Sequence, residues 1–272
     1  MWAAGVTYKR SLEARTDEAV SSDPYDRVYV AARPELFFKA TANRVRGHGQ
    51  EIFIRSDSTW DVPEPELAVV CNSRMEVVGY TIGNDVSSRS IEGENALYVP
   101  QAKVFDGSCA LGPAIALAWD YSPSDRAIEL EISRSDSVVY RNSTSTSAMR
   151  RQIPELVDYL ARDQRFDAGC VLLTGTGIVP PSDFTLQEGD VVTIRIDGIG
   201  ELTNPVRRHI ARSLLKVAWR RKSPLANFSD GCDDQSGQWF EGRKPDGSLV
   251  TSFSRTFRAT PRGSPCAPAP SG

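Results

Sequence analysis

Between residues 35 and 206 apolar side chains recur at alternate positions or in short unbroken runs, the period of strands rather than helices. The stretch ELAVVCNSRMEVVGYTIGND (66–85) predicts a hairpin, two β-branched runs joined at Asn72 and Ser73. ALGPAIAL, RAIELEISRSDSVVYRNS, CVLLTGTGIV and DVVTIRIDGIGELTNPV continue the strands. Ahead of them, MWAAGVTYKRSLEARTDEA opens with a short apolar stretch and turns helical after Thr7. YDRVYVAAR predicts a second short helix, closed by Pro34 before the strand ELFFKA. One clear helix interrupts the strands: STSAMRRQIPELVDYLARD places Ser and Thr caps before an apolar stripe at Ile153, Leu156 and Leu160. SIEGENALYVPQ (90–101) reads as a loop able to cover a site. Many strands and few helices predict a β-rich α+β domain of sandwich or roll type, without internal repeats.

Beyond Val206 the pattern changes. RRHIARSLLKVAWRRK predicts a basic amphipathic helix with Ile210, Leu214, Val217 and Ala218 on one face. The remainder, rich in Gly, Ser and Pro, predicts a disordered tail. The chain therefore divides into a domain over 1–206 and an extension over 207–272 with no part in the chemistry. Charge divides likewise: 207–272 carries 12 Lys/Arg against 5 Asp/Glu, which leaves the first 206 residues at −10 in a chain of net charge −3. An acidic body argues against nucleic acid as the main ligand. No apolar run approaches the length of a membrane span, and no basic-then-apolar leader opens the chain. The five cysteines are scattered without a CxxC pair, which points to reduced thiols, a cytoplasmic location and no zinc site.

Chemistry enters at VPEPELAVV (62–70), where Glu64 and Glu66 share one face of a strand. The hairpin would set Tyr80 and Ile82 opposite them and deliver Asp85, after the bend at Gly83, beside both carboxylates. Three converging carboxylates repel unless a cation lies between them, and an all-oxygen set favours a hard ion, Mg²⁺ first, with Mn²⁺ or Ca²⁺ as alternatives. Two solvated glutamates on an edge strand remain the plainer reading of the spacing alone.

The motifs PEPELAVV, YTIGNDVSSRSIEGEN, QAKVFDGSCALGP and LLTGTGIVPP, in this order, resemble the C-terminal domain of the fumarylacetoacetate hydrolase family across about residues 2–206. The resemblance implies a mixed β-sandwich roll, usually a homodimer, in which Glu64, Glu66 and Asp85 hold Mg²⁺. It assigns Lys103 to the metal-side pocket, as a cation for a substrate carboxylate or a developing enolate. It assigns Thr176, in TGTG, to a substrate-binding loop. Arg89 either orients Asp85, meets substrate or forms a structural ion pair.

The family hosts hydrolases, decarboxylases, isomerases and dehydratases whose shared substrate is a small 2-oxo acid or 1,3-dicarbonyl. Its hydrolases use a His-Glu pair, and GVTYKRSLEA puts Ser11 and Ala14 at those positions. His48, in RVRGHGQ, is the other candidate base. VTYKRS and RPELFFKA instead look like the 2-keto-3-deoxy-D-arabinonate dehydratase branch, which implies a lyase releasing water to give a 2-oxo semialdehyde. By that resemblance Glu35 transfers the proton, Lys103 stabilises the enolate, and Ser11, Arg10 or Arg15 contacts sugar hydroxyls. The alternatives are a hydrolase or decarboxylase of acylpyruvate-like acids, and an inactive truncated member, the last suggested by the short lead before WAAGVTY and by the tail.

Overall fold

The strand-period pattern yields fifteen strands in residues 1–210: β1 (Trp2–Gly5), β2 (Glu35–Phe38), β3 (Val45–Arg46), β4 (Ile52–Ile54), β5 (Asp61–Val62), β6 (Pro65–Cys71), β7 (Val77–Asp85), β8 (Ser87–Ser88), β9 (Cys109–Leu111), β10 (Ala116–Leu117), β11 (Ala127–Arg134), β12 (Ser137–Ser145), β13 (Cys170–Leu173), β14 (Val191–Ile196) and β15 (Gly200–Arg208). The helices are α1 (Lys9–Glu18), α2 (Asp23–Val30), α3 (Arg89–Glu94), α4 (Val99–Lys103) and α5 (Ile153–Ala161). The computed structural model describes residues 1–18, 23–210, 238–243 and 249–254. They belong to two units, Met1–Leu215 and Lys216–Gly272. Among the described residues no helix is long and apolar enough to cross a membrane.

Two mixed sheets and a small antiparallel pair, β5 with β8, make up the first unit. One runs β2-β1-β13-β6-β7-β9-β3, with β10 also on β7, and the other β12-β11-β14-β15-β4. β1 lies parallel to β13, β3 to β9 and β4 to β15, whereas β6 and β7 form the antiparallel hairpin. The inner faces meet through Leu67, Val69 and Ile82 on one side and Ile128, Leu130, Ile132 and Ile194 on the other, in one buried cluster. Each such side chain, fully buried, contributes about 1.5–3 kcal/mol. The architecture is the expected β-rich α+β fold.

Strand parity sends the opposite face of β6 and β7 away from this core. There Ala3, Ala68, Cys109 and Leu173 form a second, small-residue cluster, and Glu66 shares their face with Gly83, its partner in the register. The hairpin register differs from the expectation that Tyr80 and Ile82 face the glutamates. Its turn is longer than Asn72–Ser73: the Asn72 amide donates to the Glu76 carbonyl, Asn72 Oδ1 accepts from the Arg74 and Glu76 amides, and Met75 is left-handed at φ 61°. The pairing of Glu66 thus slides from Tyr80 to Gly83. As a result the Asp85 amide donates to the Glu64 carbonyl (3.0 Å), directly across the hairpin mouth.

Three further segments depart from expectation. The Ser/Thr-rich STSAM continues β12 and a 3₁₀ turn over Thr146–Ala148, capped by Ser145, so α5 starts only at Ile153 with Gln152 as a cap that makes no side-chain hydrogen bond. SIEGENALYVPQ is helical rather than a loop: Ser88 Oγ caps α3 through the Ile91 amide, and Asn95 Oδ1 caps a 3₁₀ turn leading into α4. Arg207 and Arg208 extend β15 because they pair with Phe53 and Ile54, so no helix begins at 207. His209 and Ile210 are likewise not helical, and residues 211–222 of the predicted basic helix lie outside the described residues. In the second unit Gln238–Arg243 and Leu249–Ser254 form an antiparallel hairpin within the segment expected to lack structure.

Candidate metal and substrate site

Glu64, Glu66 and Asp85 meet at the open end of the β6–β7 hairpin, each with a carboxylate oxygen within 4.8 Å of the others. All three are buried. Backbone geometry fixes them: the Glu64 amide donates to Asn84 Oδ1 (3.2 Å), and Glu66 Oε2 accepts the Gly175 amide (2.5 Å) from the loop after β13.

Three buried cations surround the carboxylates. Lys103, at the end of α4, donates to Glu64 Oε2 (2.9 Å), Asp85 Oδ2 (3.2 Å) and Ser87 Oγ (2.7 Å). Its carbonyl is pinned by Ser108 Oγ (2.8 Å). Arg89, the first residue of α3, spans Glu64 Oε1 (2.9 Å) and Glu92 Oε2 (3.2 Å). It orients Glu64, not Asp85. The third cation, Lys39, was not singled out from the sequence. It is fully buried, pairs with Asp85 Oδ1 (2.5 Å), and donates to the carbonyls of Val86 (3.1 Å) and Lys103 (2.5 Å). The signal was its parity: Glu35, Phe37 and Lys39 alternate onto one face, and Phe37 lies 5.6 Å beneath the Lys103 ammonium.

Glu35 sits over Gly5, its partner across β1, where a β-carbon would come within 2.0 Å of Glu35 Oε2. A side chain at position 5 would displace the carboxylate from this place. The chain then leaves β1 through Val6 at φ 51°, a left-handed conformation that costs a β-branched residue on the order of 1–3 kcal/mol. That turn lays residues 7–11 along residues 174–177: Thr7 Oγ1 donates to the Thr174 carbonyl (2.6 Å), and Ser11 Oγ to the Thr176 carbonyl. Gly175, at φ 90°, is obligatory, since a β-carbon would meet Thr7 Oγ1 at 2.1 Å. The buried Thr176 hydroxyl is turned into its own loop, donating to the Ile178 carbonyl (3.2 Å).

Two candidates fall elsewhere. Arg10 lies on the solvent side of α1, half exposed beside Glu13 (3.9 Å), because Ser11 and Ala14 occupy the buried stripe of that helix. His48 is exposed and accepts the Thr203 amide (3.1 Å) on β15 of the second sheet. The Arg15 side chain lies outside the described residues.

Among the described residues the site gathers four buried carboxylates (Glu64, Glu66, Asp85, Glu92) against three buried cations (Lys39, Arg89, Lys103). The uncompensated charge falls on Glu66. Burial first, then the charges of Asp85 and Glu64, hold its carboxyl well above the usual carboxylate range, against the pull of the Gly175 amide and Lys103. A hard divalent cation among the three hairpin oxygens would more than compensate that charge, and the all-oxygen donor set suits Mg²⁺.

The family described as fumarylacetoacetate (FAA) hydrolase C-terminal matches residues 1–207. The chain is 52% identical over 207 residues to a probable 2-keto-3-deoxyxylonate dehydratase of Haloferax volcanii, covering 76% of this chain and 71% of that one. It is 45% identical over 213 residues to 2-dehydro-3-deoxy-D-arabinonate dehydratase of Saccharolobus solfataricus, covering 76% and 72%. A solved structure of 2-keto-3-deoxy-D-arabinonate dehydratase complexed with magnesium and 2,5-dioxopentanoate superposes with a TM-score of 0.71 at 44% identity, covering 76% of this chain and 72% of that one.

Proposed function

This chain belongs to the fumarylacetoacetate hydrolase family, and on that footing we propose that it is a Mg²⁺-dependent dehydratase of 2-keto-3-deoxy sugar acids such as 2-keto-3-deoxy-D-arabinonate. The observation that carries the reading is the buried Glu64–Glu66–Asp85 triad in a chain so similar to two such dehydratases. These three residues would hold the ion, which supplies a Lewis-acidic centre for the 2-oxo acid end of the substrate.

The chain's own groups then divide the work. Lys103, fixed by Ser87 and its pinned carbonyl, presents an ammonium to the negative charge that develops as the C3 proton is removed. Glu35 is the carboxylate that takes this proton. The C4 hydroxyl leaves with a proton as water, and the resulting C3=C4 enone tautomerises through the C5 alcohol to the 2-oxo semialdehyde, so that the net change is loss of one water. Arg89 and Lys39 keep Glu64 and Asp85 in place. Ser11 and Thr176 stitch the first helix to the loop that carries the Glu66 contact.

The hydrolytic alternative finds no support at the positions it requires, because Ser11 and Ala14 are the residues present there and His48 faces the second sheet. We further propose a cytoplasmic homodimer. The free thiols Cys71, Cys109 and Cys170 support the location. Exposed Ile115, Leu117 and Trp119 around β10 support a self-association surface.

The test is incubation of the purified protein with 2-keto-3-deoxy-D-arabinonate in Mg²⁺ or in EDTA, with trapping of 2,5-dioxopentanoate. Product that depends on the metal is the expected result. A protein that binds Mg²⁺ but forms no product, or that releases pyruvate from acylpyruvates instead, overturns it.

A further inference from the structure

The Tyr8 hydroxyl has no role in the chemistry described so far, yet its setting is constrained on every side. Tyr8 stands between the two anchors that tie residues 7–11 to the loop after β13, Thr7 on the Thr174 carbonyl and Ser11 on the Thr176 carbonyl. Its ring lies close enough to Gly177 that a β-carbon there would come within 2.7 Å of Cδ1. The residue is 1% exposed, and Oη has no hydrogen-bond partner among the described residues. A buried hydroxyl left unpaired is costly and uncommon, so a phenol kept in such a place points to a ligand oxygen. Burial, and after it the charge of Glu66, push its ionisation upward. A phenol is in any case an O–H donor at neutral pH.

We propose that Tyr8 is a substrate-contacting residue whose Oη–H donates a hydrogen bond to a hydroxyl oxygen of the keto sugar acid, away from its 2-oxo acid end. The assignment rests on the dehydratase reading. Residues 174–177 approach the metal carboxylates from the Glu66 side, whereas Lys103 and Lys39 approach from Glu64 and Asp85. Tyr8 is thus on the side left for the hydroxyl-bearing carbons once the 2-oxo acid end is turned to the metal and Lys103.

Tyr8→Phe keeps the ring against Gly177 and removes only the donor. The expected outcome is an unchanged or slightly raised Tm, Mg²⁺ affinity within about twofold of the parent, and a kcat/KM for the keto sugar acid lowered by about 5–100-fold. Mg²⁺-dependent affinity for pyruvate, which has the 2-oxo acid end and no hydroxyl, stays unchanged. A kcat/KM within twofold of the parent overturns the proposal. So does a large fall in Tm, which would show an internal partner for the hydroxyl, or an equal loss of pyruvate affinity. If the parent binds the keto sugar acid without dehydrating it, the proposed function falls while the dissociation constants of parent and Tyr8→Phe still decide the role of Tyr8. A parent that binds no keto sugar acid overturns both.

Discussion

Replacing Lys39 with Met tests whether this buried ammonium balances the carboxylate cluster. Lys39 is fully buried, pairs with Asp85 at 2.5 Å, and satisfies the carbonyls of Val86 and Lys103. Breaking a buried pair by removing one partner costs about 3–5 kcal/mol, because the other charge remains. Lys103, 3.2 Å from the second Asp85 oxygen, still compensates in part, so the lower end, about 3 kcal/mol, applies. In a domain of this size each kcal/mol moves Tm by roughly 2–4 °C, which gives a fall of about 6–12 °C in EDTA. The cluster would then hold four carboxylates against two cations, so a divalent ion relieves more repulsion than in the parent. Mg²⁺ should therefore raise the Tm of Lys39→Met by more than it raises that of the parent. Thermal unfolding followed by circular dichroism, with EDTA and with saturating Mg²⁺, measures both shifts. A Tm within about 2 °C of the parent in EDTA, or a Mg²⁺ stabilisation no larger than the parent's, refutes the charge argument.

Asp85→Asn and Glu64→Gln should each abolish Mg²⁺ binding and Mg²⁺-dependent turnover while the protein remains folded; calorimetric titration decides, and an Asp85→Asn enzyme with parental activity removes the metal assignment. Glu35→Gln should bind Mg²⁺ normally and lose turnover, and an unchanged kcat takes Glu35 out of the proton transfer. Asp61 offers a pH test. It is fully buried in β5, and burial, only partly offset by Ser58 and Arg208, pushes its carboxyl up to about 6. The folded protein then holds this proton more tightly than the unfolded chain does. Its stabilising contribution is full below about pH 4 and is lost as pH rises through 6. Asp61→Asn should therefore gain about 1–3 kcal/mol at pH 8 and show a flatter stability between pH 4 and 7 in urea titrations. An unaltered pH slope contradicts the assignment.

Where periodicity was strong, the sequence was legible. The β6–β7 hairpin, strands β2 and β9–β15 and the approach of Asp85 to Glu64 and Glu66 follow from alternation and strand length, whereas β3 and β4 are too short to show a period and β1 reads only as an apolar stretch. The register did not, because a turn in which Met75 adopts a left-handed conformation leaves no mark in the hydrophobic pattern. α3 and α4 were hidden for a similar reason: their lengths are too short for a 3.6-residue period to emerge, and local signals define them instead, the Ser88 cap for α3 and, for α4, the Asn95-capped 3₁₀ turn before it and Pro100 in its first turn. Arg10 and Ser11 are neighbours in sequence with opposite fates, which only the buried stripe of α1 decides. Lys39 was overlooked because a lysine after an apolar strand is ordinarily solvated, and its partners lie at Asp85, Val86 and Lys103, far along the chain.

The parallel pairing of β1 with β13 has a bearing on biosynthesis. Trp2 and Ala3 are translated some 170 residues ahead of Leu172 and Leu173, their neighbours on one side. A growing chain on the ribosome can close the β6–β7 hairpin early, since its two strands are adjacent in sequence. It cannot bring Thr7 to Thr174, or the Gly175 amide to Glu66, until that loop has cleared the exit tunnel. β1 thus waits with one edge unpaired until Leu172 and Leu173 emerge, and the carboxylates acquire the Gly175 anchor only when emergence has passed into the last third of residues 1–215.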